Sequence, residues 1–243
     1  MWAVERFEQV QALTAPRKRL GLDAADRVLE TLCRRNGLKA GPDDGMGIRT
    51  LIGQAAWERL APAIRERFGN SPARGEVRVY RGVMETVGCT WLGLAMAHVG
   101  RFLGAPMAWK TGRDVPCDVH VYADPKGGVV WERRYDFGAA DEIVAKTTKR
   151  CDGRGRLLEC FGTTAGMTLK VFEQDAELHF VSEDFFLRIA NWKVLLPAAL
   201  SPGTLHVVQK DEGEGNFRFT MDVEHPMFGT IATQDGVFRR VMA

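Results

Sequence analysis

The sequence predicts an α+β fold: an antiparallel, strongly curved or barrel-like meander sheet with a buried helix and an N-terminal helical extension. Three observations carry this. Runs of alternating apolar and polar residues follow one another with short turn-forming breaks between them. A single long apolar segment, 91–103, has the length and composition of a core helix. A Gly- and Asp-rich run at 37–47 separates a helical N-terminal extension, residues 1–46, from a sheet domain at 47–243.

In the extension, Ala25, Val28, Leu29, Leu32 and Cys33 recur at helical spacing, with Asp23 placed to cap the start and Gly37 the end. A second helical stretch covers 50–68. Pro62 divides it, because an internal proline removes a backbone hydrogen bond and clashes with the preceding turn. Leu60, Ile64 and Phe68 then form one stripe, and Gly69-Asn70-Ser71-Pro72 ends the helix.

The segment 77–83 reads as a strand with Val77, Val79 and Arg81 on one face. Thr90 caps the apolar helix, which Gly104 and Pro106 stop. That helix is apolar nearly all round, which predicts burial. Gly93 and Gly100 allow another group to approach its backbone closely.

The stretch 117–137 is the centre of the reading. Two strands flank the turn Asp124-Pro125-Lys126-Gly127-Gly128. Val119 and Val121 share a face of the first, and Val129, Trp131, Arg133, Tyr135 and Phe137 a face of the second. Further strands fall near 143–150, 157–161, 167–172, 178–182, 185–189, 205–207 and 217–223, and a last one covers 231–241 with a break at Asp235-Gly236. A meander of eight to ten strands must curl or close.

Composition excludes some classes. The net charge of +2 is too small to imply nucleic acid. Residues 1–75 carry 13 Lys/Arg against 9 Asp/Glu, a mild basic excess that suits a solvated surface. Five cysteines, at 33, 89, 117, 151 and 160, form no CxxC pair, which favours a reduced, cytoplasmic setting over a disulfide framework. The N-terminal residues lack a basic segment followed by an apolar run. The apolar segment 91–103 is too short to span a bilayer, which takes about 20 residues.

Certain marks, Tyr80-Arg81-Gly82, Trp131-Glu132-Arg133, Leu196-Pro197 with Leu200-Ser201-Pro202, and Pro226 with Gly229 and Gly236, give the chain a family likeness. From about residue 55 to 241 it resembles a bacterial family of domains of unknown function, family 4166. The resemblance implies an oxidoreductase or membrane-associated protein as partner, and it implies no catalytic residues.

Cys117 and His120 have ligand-like spacing, but odd spacing on a strand puts them on opposite faces, so no metal site is expected. Cys89 precedes the helix cap, where a helix dipole would lower a thiol pKa; an inert buried cysteine is the alternative. Gly153-Arg154-Gly155 lies between strands with no helix after it, so no dinucleotide cofactor is expected.

Arg133 then stands out. A guanidinium on an aromatic, apolar face needs an anion, a carbonyl or a ring to stack on. Its partner is a carboxylate of the chain, such as Glu159, or the acidic or carbonyl end of a ligand. The first function class is therefore binding of a hydrophobic small molecule bearing a carboxylate or carbonyl, between sheet and helix. Arg133, Trp131, Tyr135, His98 and Trp91 are its candidate site residues. The alternatives are a protein-interaction module with a filled core and a cofactor-independent cyclase or isomerase. Deleting residues 1–46 is expected to leave soluble protein with one cooperative thermal transition; loss of folded protein would overturn that domain boundary.

Overall fold

The computed structural model describes residues 46–102, 110–138, 142–152, 155–189, 192–197 and 201–242, with the backbone alone for 97–102 and 189. The predicted helix of the N-terminal extension lies outside these residues. Three short helices come first: α1 (Ile48–Ile52), α2 (Gln54–Arg59) and α3 (Pro62–Gly69). Next are β1 (Val77–Cys89), α4 (Trp91–Phe102), β2 (Gly112–Ala123), β3 (Val129–Asp136), β4 (Glu142–Cys151) and β5 (Leu157–Phe161). The chain continues through β6 (Ala165–Gln174), β7 (Glu177–Ile189), β8 (Trp192–Leu195), β9 (Thr204–Gly213), β10 (Asn216–His225) and β11 (Gly229–Arg240).

All pairings are antiparallel. Each strand pairs with the next in sequence, except that β7 passes over β8 to reach β9. The two ends of the meander then meet, because β1 pairs with β11 from Tyr80↔Arg240 to Cys89↔Ala232. The result is a closed barrel of ten strands, with β8 attached outside along the second half of β7. The fold is therefore mostly β, and the α+β description is corrected to a closed antiparallel barrel with few helices.

Period-two alternation fills the interior. Phe217, Phe219, Met221 and Val223 of β10 are buried, as are Val119 and Val121 of β2 and Ile143 and Ala145 of β4. One end of the barrel is stoppered by α1, α2 and α3, whose Ile48, Trp57, Leu60, Ile64 and Phe68 join the core. Pro62 opens α3 rather than interrupting a longer helix, where its missing N–H costs nothing. Polar ties hold this lid to the rim: Ala61 N–H donates to Ala176 O (3.0 Å), Arg59 pairs with Glu173 (2.6 Å), and Cys151 Sγ lies 2.9 Å from Met46 O. Met46 is thus part of the barrel domain, although sequence patterning placed it at the end of the extension.

Val77, Val79 and Arg81 share one face of β1, as their alternation predicts, and it is the outer one, whereas the burial expected of the apolar helix is only partial among the described side chains. The inward face of β1 is Tyr80 and Met84, whereas Val77 is exposed and Arg81 pairs outside with Asp118 at 3.0 Å. The charged pair keeps that face wet, and apolar content alone did not reveal it. The helix α4 is capped as expected, with Gly93 N–H donating to Thr90 Oγ1 (3.2 Å), but it is not buried: among the residues 91–96 only Gly93 is. It lies against β11 and β1, with Leu92 and Met96 packed on the core, and a Cβ on Gly93 would stand 2.3 Å from Ile231 O.

The β10 register gives a direct test. Phe219 faces the core and Thr220 the outer surface, so Phe219→Ala is expected to cost about 3–5 kcal/mol and Thr220→Ala little in urea unfolding. Equal effects would show the register to be wrong.

Candidate functional site

The centre of the barrel is charged. Trp131 and Arg133 of β3, Lys149 of β4 and Glu159 of β5 all point inward, in phase with the apolar residues of their strands. Arg67 comes down from α3 into the same space, and Phe180, Phe217 and Phe219 wall it. The gap left between these side chains is small, about 20 Å³, enough for one or two waters.

Arg67 sits in an aromatic enclosure. Its guanidinium carbon lies 3.4 Å from the Phe217 ring centroid, 4.7 Å from Tyr80 and 5.2 Å from Trp131. Nη1 donates to Gln209 Oε1 at 2.7 Å, and buried Nε has no partner among the described residues. Burial pushes this guanidinium down to about 9, so it stays charged at neutral pH.

Lys149 and Glu159 form a buried ion pair, Nζ to Oε1 2.8 Å. Burial disfavours the Glu159 carboxylate, but the Lys149 and Arg133 charges outweigh it and hold the carboxyl below its ordinary range. Burial lowers the Lys149 ammonium, and Arg133 and Arg67 lower it further against the pull of Glu159.

Of the two partners the sequence left open for Arg133, the carboxylate Glu159 is ion-paired with Lys149 instead, and the Arg133 charge acts on it only at longer range. Among the described residues Arg133 is in no ion pair, and its nearest ring is Phe219 at 5.4 Å. Three cations share this interior with one carboxylate.

Of the residues singled out from the sequence, Trp131 and Arg133 line the gap. Trp131 stacks on Phe68 of the lid (centroids 5.8 Å), and its buried Nε1 has no partner among the described residues. Tyr135 shares their face but lies deeper, its hydroxyl donating to Gln234 Oε1 at 2.9 Å. Burial raises its phenol well above the ordinary range. Trp91 is brought to none of them: it is 77% exposed at the start of α4. The His98 side chain lies outside the described residues. Burial pushes the Cys89 thiol up, which opposes an activated nucleophile there, and pushes Cys117 up to about 12.

Lys149 and Arg67 were missed, yet each carried a signal. Lys149 is in phase with Ile143 and Ala145, and Arg67 follows Ile64 by three residues on the buried face of α3.

Fold and interior together define a closed, lidded antiparallel barrel with a cationic, aromatic-walled centre. The family model described as a domain of unknown function (DUF4166) matches residues 60–238, and the chain belongs to that family. No curated protein and no solved structure matches the chain. Among the described residues no helix is long and apolar enough to cross a membrane.

Breaking the buried pair on one side is expected to be severe. Glu159→Gln should lose about 3–5 kcal/mol at pH 7 by leaving Lys149 unpaired, whereas replacing Lys149 and Glu159 together by methionine and leucine should be near neutral. Because the folded carboxyl is held low, the wild-type advantage is present above the ordinary value of 4.5 and shrinks as pH falls through the folded value. Urea titrations at a series of pH values check both points.

Proposed function

We propose that the barrel binds a small apolar molecule carrying a carboxylate or carbonyl group, with Arg133 as the anchor and Trp131 as a wall. One observation carries the reading: Arg133 is in no ion pair among the described residues, and Glu159, on which its charge acts at longer range, is held by Lys149. Buried cations in excess of anions are costly, and an acidic ligand head would offset them. Few polar groups among apolar walls is also the ordinary make-up of a small-molecule site. A ligand larger than the present gap needs the lid to move, and α3 is placed for this because its Arg67 and Phe68 form one side of the gap.

The smallness of that gap favours a second reading, a filled barrel acting as an interaction module. One variant separates the two. Arg133→Met should keep the fold, with an unchanged or higher melting temperature, and weaken binding of a fluorescent fatty acid about tenfold or more, the loss expected for a charged hydrogen bond. A lower melting temperature with unchanged binding would overturn the anchor.

A further inference from the structure

Anchoring an acid uses Arg133 and leaves Lys149, the one lysine among the described residues that line the gap, without a task. Lys149 Nζ lines the same gap as Arg133. It lies 5.6 Å from the Trp131 ring centroid and 5.9 Å from that of Phe180. Its carboxylate neighbour, Glu159 at 2.8 Å, is buried with it. Lysines become nucleophilic when they are desolvated in an apolar pocket or set beside other cations. Both conditions hold here, with Arg67 and Arg133 as the cations, and they lower the ammonium as described above.

We propose that Lys149 forms a reversible imine with the aldehyde group of an apolar acid bound in the barrel, Glu159 shuttling the proton and Arg133 holding the acid's carboxylate. The proposal rests on the ligand-binding reading and gives it a substrate class. The ammonium first gives a proton to Glu159, leaving a neutral amine and a carboxylic acid. The nitrogen lone pair attacks the carbonyl carbon, and the carbonyl π pair moves to oxygen. A proton passes from nitrogen to that oxygen, giving a neutral carbinolamine. Glu159 then returns its proton to the hydroxyl, which leaves as water, while nitrogen forms the C=N bond. The products are a protonated imine on Lys149, an ionised Glu159 and one water. The charge of the starting ammonium–carboxylate pair is conserved, so Glu159 becomes the counter-ion of the imine without rearrangement.

A lysine retained only as a structural ion pair predicts something else. Its nitrogen would be no more reactive than a surface amine, and less accessible. The test is reductive trapping: the full chain is incubated with 4-carboxybenzaldehyde and sodium cyanoborohydride, and the labelled lysines are mapped by mass spectrometry. Lys149 should label ahead of the exposed Lys126, Lys170 and Lys210. Benzaldehyde, which lacks the carboxylate, should label Lys149 about tenfold or more slowly, the loss expected for a charged hydrogen bond. Lys149→Arg keeps the charge opposite Glu159 and should fold while losing that label alone.

Binding of 4-methylbenzoate, followed by tryptophan fluorescence, separates the two readings. If it binds while Lys149 labels no faster than the surface lysines, the imine is overturned and the ligand site stands. If neither acid engages the barrel, both fall.

Discussion

The ladder between β1 and β11 is the constraint on which the rest depends. It joins residues about 150 positions apart, Tyr80 with Arg240 at one end and Cys89 with Ala232 at the other, and it turns a curved meander into a barrel without free edges. Forming it late and over a long loop is the costly step of such a topology. The close approach it requires explains two glycines. A Cβ on Gly82 would stand 2.6 Å from Phe238 Cδ1, and one on Gly236 would stand 2.8 Å from Met84 Sδ. Larger residues there would push Phe238 and Met84 out of the interior that they help to fill. The register shift between Met84 and Thr86 leaves Glu85 outside the pairing, where it reaches Arg218 at 2.9 Å.

Closure at ten strands sets the second problem, that of filling. Eight strands enclose a space that their own side chains fill, and wider barrels leave room for more. This chain meets the surplus with large residues, Phe180, Phe217, Phe219, Phe238 and Trp131 among them, and with a lid that inserts Phe68 and Arg67. The lid therefore acts as part of the core as well as a cover. Its apolar anchors Ile48, Leu60 and Ile64 are almost fully buried, which is why three helices of five, six and eight residues, too short to persist alone, are stable here.

Much of this was legible. The alternation of Phe217, Phe219, Met221 and Val223 gave a strand and its buried face, and the Asp124–Gly128 turn located the β2–β3 hairpin. What escaped notice was polar. Lys149 occupies an inward position in an alternating strand, but a charged residue in phase with apolar ones reads as an edge or a break unless its partner is known, and strands β4 and β5 must first be placed side by side to pair it with Glu159. Arg133 stands out in the sequence because its neighbours are aromatic, but which anion it meets depends on Lys149, which competes for Glu159 from the neighbouring strand. On α4 the error ran the other way. Apolar composition predicted burial all round, yet among the described side chains Leu92 and Met96 pack on the core while Trp91 is exposed, and the close approach of Gly93 to Ile231 is a contact that composition does not encode.

The interior charges bear on the lid as well as on the floor. The packed α3 holds Arg67 beside the gap that Arg133 and Lys149 line, and like charges in a poorly solvated space repel one another strongly. The ring faces of Phe217, Tyr80 and Trp131 and the carbonyl of Gln209 offset part of that repulsion. Glu159 offsets another part, but it is held by Lys149. An anion lodged among the three cations would complete the balance, and it would be stabilised more with the lid closed than open. On the proposed ligand reading, an anion bound there and the packed position of α3 would favour one another by linkage. Arg67 thus joins two roles that the sequence keeps apart, a residue of the stopper and a wall of the cavity that the stopper covers.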